Sequence, residues 1–476
     1  MSDASDAEAQ LRARAESDGV EFFFAMFVDM HGKPCAKMIP VEAVDVLTGG
    51  GAGFAGFAAG PMGQSPADPD MIAVPDPASY TLAPWQPGLA VLQCDIHVES
   101  QPWPYTPRLI LKRMLEKAHD RGLVYNVGCE AEYFLVRRRD NNGGDNNGGD
   151  NNGGGIGGGI GGNGIELADP LDRADAPCYD AKGLTRMFDH LSTVSKYMNQ
   201  LGWANYANDH EDANGQFEQN FAYADALTSA DRLIFYRYMI HTLAHNAGLA
   251  ATFMPKPFGN LTGSGLHLHT SLWDARTGDE LFADPGDSRG LGLSQLAYHY
   301  IGGLIEHATA MAAVTCPTVN SYKRFGVGAP NSGATWAPAY ATYGGNNRTQ
   351  MLRVPDGGRV ENRACDGSAN PYLAMAAQLA AGLDGIDRGL DPGEPNRDNL
   401  HVMAPEAVAA RGIRALPPTL LHAADELVTD DVLREALGKT PDGDYIDYYA
   451  QVKRDEFRAW HAGVTSWEVE HYLTLF

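Results

Sequence analysis

Two hydrophobic rhythms run along the chain, and each predicts a different kind of element. Glu21-Phe22-Phe23-Phe24-Ala25-Met26-Phe27-Val28-Asp29 is a short apolar run closed by His31-Gly32-Lys33-Pro34, which predicts a strand and a turn. Met71-Ile72-Ala73-Val74 and Leu89-Ala90-Val91-Leu92-Gln93-Cys94-Asp95 read as further strands. Val41 to Leu47 has the spacing of a short helix, and the Gly- and Ala-rich stretch from Gly49 to Gly63 reads as a flexible loop. Pro102, Pro104 and Pro107 then punctuate the chain before a well-patterned helix, Leu109 to Ala118. A domain boundary is placed there. The division is a flexible N-terminus over 1–19, a small domain over 20–104 and a larger one over 105–476.

Beyond that boundary the period lengthens. Leu184 to Leu201, Ala224 to Ala247, Leu293 to Val314 and Pro371 to Leu383 carry apolar residues at helical spacing, while shorter stretches between them read as strands. Helices and strands are mixed without strict alternation, so the fold class is α+β. Asp140 to Gly164 breaks the pattern with a repeat of Asp-Asn-Asn-Gly-Gly that runs into Gly and Ile. Its oxygens invite a calcium reading, but the twelfth-position Glu and flanking helices of an EF-hand are missing. It reads as a low-complexity excursion, because such sequence cannot repay its ordering entropy.

Length and charge narrow the function. At 476 residues the chain exceeds one ordinary core. Its net charge of −24 argues against nucleic acid or an anionic membrane as the main partner. The six cysteines show no paired C-x-x-C spacing, so reduced thiols and a cytoplasmic location are expected.

The candidate chemistry is concentrated in a few strand-like segments. In Gly128-Cys129-Glu130-Ala131-Glu132 the two carboxylates are at i and i+2, hence on one face of a strand and in one cavity. Two anions that close favour a cation between them. Further ligand-type groups follow in His210-Glu211-Asp212-Ala213-Asn214-Gly215-Gln216-Phe217-Glu218 and in Gly263-Ser264-Gly265-Leu266-His267-Leu268-His269. An arginine-rich run ends Arg359-Val360-Glu361-Asn362-Arg363. Carboxylates, imidazoles and arginines together point to hard divalent cations and a phosphorylated nucleotide. Gly51-Ala52-Gly53-Phe54-Ala55-Gly56 also matches G-x-G-x-x-G, with Asp76 downstream, which would suit a dinucleotide-dependent oxidoreductase. The context opposes it: a helix precedes the glycines where a strand is required, and Pro61, Pro66 and Pro69 follow.

Taken in order, these motifs resemble the glutamine synthetase family. They include Glu130-Ala131-Glu132, His210-Glu211 through Gly215-Gln216-Phe217-Glu218, and Gly263-Ser264-Gly265-Leu266-His267-Leu268-His269-Thr270-Ser271, where Thr262 replaces the family's Asn. Asn320-Ser321-Tyr322-Lys323-Arg324, Asn347-Arg348, Arg353-Val354-Pro355 and Ala369-Asn370-Pro371 complete the series. The resemblance implies an N-terminal β-grasp domain and a catalytic domain built on a curved antiparallel sheet. It implies two divalent cations, Mg²⁺ or Mn²⁺: one on Glu132, Glu211 and Glu218, the other on Glu130, His267 and Glu361. Arg324 would pair with the α-carboxylate of L-glutamate beside Gly263, with Arg348 and Arg363 near the reacting end. Arg324, Arg348 and Arg363 are thereby the catalytic arginines. His269, Ser271, Arg353 and Arg359 would contact ATP. A homododecamer of two stacked hexamers, with active sites between subunits, is the implied assembly.

Two departures bear on the acceptor. Where the family's ammonium-binding loop carries an Asp, this chain has Ala55, and no acidic residue lies between Lys323 and Arg348, where a flap glutamate is expected. Phe57 and Trp336 make the region more apolar. That pattern resembles the type III branch, which includes γ-glutamylmethylamide synthetases. The implied reaction is ATP-dependent ligation of a small alkylamine, methylamine first, to the γ-carboxylate of glutamate. Ammonia, giving glutamine, is the alternative acceptor. A non-catalytic structural member of the family is the alternative from another class, opposed by the presence of all six candidate ligands. Asp209 and Asp212, flanking Glu211, are the nearest acidic groups to receive the amine's proton.

Overall fold

The protein is described by a computed structural model covering residues 2–138, 164–325, 337–440 and 443–476. In the smaller sheet the strands lie in the order Pro34–Pro40, Phe22–Val28, Leu89–Val98, Met71–Pro75 and Ala52–Phe54. Phe22–Val28 runs parallel to Leu89–Val98 and antiparallel to Pro34–Pro40. The period of two explains its position. Phe23, Ala25 and Phe27 pack into one core with Leu11 and Ala15, whereas Met26 and Val28 join the core of the larger sheet. A strand buried on both faces reads as an unbroken apolar run, as this one does.

The larger sheet is centred on a 16-residue strand, Leu123–Arg138. Leu266–Asp274 pairs with it antiparallel over nine positions, and Gln216–Asn220 pairs on its other side. From the Leu266–Asp274 edge the sheet continues through Val360–Asn362, Leu352–Arg353 and Tyr343–Gly344. Beneath it lies the helix Pro371–Arg388, buried along most of its length, with Gln295–Glu306 and Pro107–Asp120 packed against it. An Ala- and Leu-rich helix without a polar face suits such a central position.

Four expectations need correction, the first being that Leu184 to Leu201 falls on two helices, Ala181–Arg186 and Phe188–Gln200. Residues 2–18 form a helix rather than a flexible tail, and Leu11 and Ala15 hold it to the smaller sheet. Inside the presumed loop Gly49–Gly63, Ala52–Phe54 is an edge strand on Met71–Pro75, followed by the short helix Gly56–Ala59. Gly51 sits at φ +108°, and a Cβ there would come within 2.5 Å of the Ala73 carbonyl oxygen. Close strand packing therefore accounts for a glycine that mimicked a nucleotide fingerprint. Finally, Leu293 to Val314 is two helices, Gln295–Glu306 and Ala308–Thr315, meeting at His307. Its imidazole is drawn between Asp384 and Asp430, at 3.0 and 2.6 Å. The repeat-bearing stretch up to residue 163, and Trp336 with most of the acid-free segment before it, lie outside the described residues. No described helix is long and apolar enough to cross a membrane.

Candidate active site

Strand register assembles the acidic centre. Glu132 stands opposite Glu218 on the neighbouring strand, and Glu130 stands opposite His267 on the other. One strand further out, His269 faces Glu361, and Glu361 faces Arg353. The i, i+2 spacings of Glu130/Glu132 and His267/His269 keep these groups on one face. Glu211 enters from the turn between the antiparallel strands Ala207–His210 and Gln216–Asn220.

His267 is the hub. Its Nδ1 is 3.6 Å from both Glu130 and Glu361, and its Nε2 is 3.6 Å from Glu132. His269 Nε2 is 3.0 Å from Glu130. One Glu132 oxygen accepts from the Gly265 N–H at 2.8 Å and from Gln216 Nε2 at 3.0 Å, leaving the other toward His267. Asn220 Nδ2 donates to Glu218 at 2.8 Å.

The electrostatics are those of crowded anions. Burial, then the charge of Glu132, pushes Glu211 up to about 8. Burial and the surrounding glutamates Glu211, Glu130 and Glu132 push Glu218 well above the usual carboxylate range. Burial also acts on Glu361, but Arg363, His267, His269 and Arg353 outweigh it and hold the carboxyl at about 2. At Glu130, burial is likewise outweighed by the neighbouring imidazoles of His267 and His269, and the group is held low.

Two groups of these side chains come close enough to share an ion. Ligand atoms of Glu130, Glu218 and His267 lie within 4.8 Å of one another, as do those of Glu130, His269 and Glu361. His269, expected only at the nucleotide, is thus beside the acidic centre. Glu361 is also gripped by arginines: Arg353 donates to one oxygen at 2.7 Å and Arg363 to the other. Oxygen donors with imidazole suit a hard or borderline divalent cation. Unpaired buried carboxylates in this number are costly, so the residues present fit such an ion.

Two cavities adjoin at Glu130. One, of about 340 Å³, contains Glu132, Glu211, Glu218, His267, Gly263, Arg324, Arg348, Arg353 and Arg363. The other, of about 500 Å³, contains His269, Ser271, Trp273, Tyr223, Asp356 and Arg359. The residues expected at glutamate and at ATP therefore fall largely in different cavities, with Arg353 on the glutamate side. Among the described residues, Nε of Arg324 and Nε of Arg363 are buried without a hydrogen-bond partner. Arg324 Nη1 donates to the Ala364 carbonyl at 3.1 Å. Gly263 is obligatory beside it: a Cβ would come within 2.4 Å of the Pro255 carbonyl oxygen and 2.7 Å of Arg324 Cγ.

Asp209 and Asp212 both line the first cavity. Asp212 is hydrogen-bonded to the Thr262 hydroxyl, at the family's Asn position. The Asp209 carboxylate has no hydrogen-bond or ion-pair partner among the described residues. Cys178, Tyr179 and Lys256 also line this cavity and belong to no motif in the sequence. They stand alone in their segments, and only the positive φ of Tyr179, +62°, is unusual.

Comparison with known proteins agrees with this geometry. The family described as "Glutamine synthetase, catalytic domain" matches residues 104–472. The chain is 43% identical over 458 residues to the glutamate–methylamine ligase of Methyloversatilis universalis, covering 96% of this chain and 97% of that one. It is 40% identical over 461 residues to a glutamine synthetase of Rhizobium meliloti, covering 97% and 98%. Among solved structures, a GmaS/ADP complex matches with TM-score 0.86 at 43% identity, covering 97% of this chain and 99% of that chain. A ligand-free GmaS matches at 0.84 and 42%, covering 98% and 99%. With the ordered motifs, the acidic centre and matches along nearly the whole chain in agreement, this protein belongs to the glutamine synthetase family, whose ligases use ATP and divalent metal ions.

Proposed function

We propose that the protein is a glutamate–methylamine ligase. ATP phosphorylates the γ-carboxylate of L-glutamate, giving γ-glutamyl phosphate and ADP. Methylamine then attacks the acyl carbon, the carbon–oxygen bond to phosphate breaks, and γ-glutamylmethylamide and phosphate leave. The observation that carries this reading is the meeting of two cavities at Glu130, one lined by arginines with unsatisfied donors and the other by Tyr223, Trp273 and His269. Relatives at 43% and 40% identity bear different acceptor names, so overall likeness does not choose the amine. Ala55 and the acid-free stretch before Arg348 favour an alkylamine.

Each residue has a role in this scheme. Arg324, beside Gly263, receives the α-carboxylate of glutamate; its planar fork matches a carboxylate bidentately. Arg348 and Arg363 hold the γ-end, where anionic oxygens accumulate. His269, Ser271 and Arg359 belong to the nucleotide cavity, and Arg353 reaches from the glutamate side toward the phosphates. Glu130, Glu132, Glu211, Glu218, His267 and Glu361 would hold Mg²⁺ or Mn²⁺. Those ions, when bound, would neutralise charge on the transferring phosphoryl group. An alkylammonium with a pKa of ~10.4, the value of a lysine amine, arrives protonated at pH 7. Asp209, a cavity carboxylate without a hydrogen-bond or ion-pair partner among the described residues, attracts it.

The same reading divides the chain into a β-grasp domain over 20–104 and a catalytic domain over 105–476, and places it in the cytoplasm, where its six free cysteines remain reduced. It includes a homododecamer. The exposure of Val464, Trp467, Leu473, Leu475 and Phe476 in one C-terminal stretch supports burial against another copy. ADP release by purified protein with glutamate, ATP and Mg²⁺ tests the function, with methylamine, ethylamine and ammonium compared at equal concentration. Methylamine should be fastest. Faster release with ammonium would make the protein a glutamine synthetase, and no release with any amine would refute the ligase reading.

A further inference from the structure

Asp172 lies outside both cavities, after the strand Ile165–Leu167, and is 2% exposed. One carboxylate oxygen accepts from His210 Nε2 at 2.7 Å and from the Gly215 N–H at 2.6 Å. The other accepts from Asn214 Nδ2 at 3.1 Å. His210 and Gly215 are the two ends of the turn that carries Glu211, so one buried carboxylate ties both ends together.

The imidazole is held from every side. His210 Nδ1 meets the carbonyl of Glu211 at 2.9 Å, and the Phe217 ring stands edge-on at 5.1 Å. Helix Ala181–Arg186 closes the remaining side. A Cβ at Gly183 would lie 2.3 Å from His210 Cδ2, so only glycine fits. The residue following Gly215 is Gln216, whose Nε2 donates to Glu132. Any tilt of this turn therefore moves Glu211 directly and Glu132 through one hydrogen bond.

We propose that Asp172, His210 and Gly183 form a positioning brace that sets Glu211 and Glu132 for cation binding, in addition to whatever they contribute to folding. The inference rests on the metal-binding role assigned to those glutamates. Partners behind a metal ligand typically change affinity about 10–100-fold when altered. The expected result is at least a tenfold rise in the Mn²⁺ dissociation constant, read by electron paramagnetic resonance of free Mn²⁺, for both Asp172→Asn and Gly183→Ala.

Asp430→Asn is the structural control, because it disturbs another His–Asp pair, His307–Asp430, outside both cavities. It should lower the melting temperature and leave Mn²⁺ affinity within twofold of wild type. Excess Mn²⁺ should restore turnover in Gly183→Ala. Wild-type affinity in Gly183→Ala, or equal loss of affinity in the Asp430→Asn control, overturns the brace. If the unaltered protein binds no Mn²⁺, the metal reading itself fails. Should Asp172→Asn not fold, Gly183→Ala decides.

Discussion

Glu132 and Glu218 face each other directly across adjacent antiparallel strands, two buried carboxylates at a position where like charges repel. On the reading proposed above, a cation held between them offsets the repulsion. Stability and function are therefore opposed at these residues. Glu218→Gln should abolish ligase activity yet stabilise the metal-free protein at alkaline pH, where the raised pKa of Glu218 is exceeded and the pair is charged, by about 0.2–1 kcal/mol. Thermal melting in EDTA checks it; a lower melting temperature would contradict the argument.

Mn²⁺ at 100 times its dissociation constant should stabilise the unaltered protein by about 2.7 kcal/mol, and the gain should vanish in Glu218→Gln.

How much of this was legible in the sequence depends on the range of the interaction. Glu130/Glu132 and His267/His269 declare a shared face through i, i+2 spacing, which needs no tertiary knowledge. Residues 2–18 include five alanines, whose helical propensity is the local signal for the helix found there. The strand Ala52–Phe54 is short, and the glycine before it, Gly51, is set by the close approach of Ala73 on Met71–Pro75, a tertiary contact that no local spacing marks. The same holds for Asp172, since its bond to His210 spans 38 residues. The partners of His307 at the junction of helices 295–306 and 308–315, Asp384 and Asp430, are likewise distant in sequence.

His307 gives the fold a pH dependence. Burial opposes its protonation, but hydrogen bonds and charge from Asp430 and Asp384 outweigh burial and raise its folded pKa above 6.5. A raised folded pKa means that this stabilisation is fully present below about pH 6.5, the unfolded value, and is lost as pH rises through the folded pKa. His307→Gln should cost about 2 kcal/mol at pH 6, the scale of a hydrogen bond to a charged group. The cost should shrink at alkaline pH. Melting temperatures of both proteins across pH 5.5–9 would show a difference that narrows upward; a constant gap would refute the assignment.

Arg324 should act on glutamate and not on the metal. Arg324→Lys removes the planar fork and should raise the KM for glutamate about tenfold or more, with Mn²⁺ affinity unchanged. Gly263→Ala should act in the same direction, because its Cβ would collide with Arg324 Cγ at 2.7 Å. Steady-state kinetics with glutamate varied at saturating ATP and amine measure both. An unchanged KM in Arg324→Lys would remove Arg324 from the glutamate site.

The amine should respond to Asp209. Asp209→Asn removes the cavity carboxylate that has no hydrogen-bond or ion-pair partner among the described residues. It should raise the KM for methylamine at least fivefold, about 1 kcal/mol, while leaving the KM for ATP in place. Equal effects on both substrates would indicate general damage to the site.

The central claim is the choice of amine. Glutamate, ATP and Mg²⁺ would be supplied with equal concentrations of methylamine and ammonium in one vessel, and the two amide products separated by mass. One buried methyl contributes about 0.8 kcal/mol, so γ-glutamylmethylamide should exceed glutamine by roughly fourfold or more. Glutamine as the major product would contradict the account.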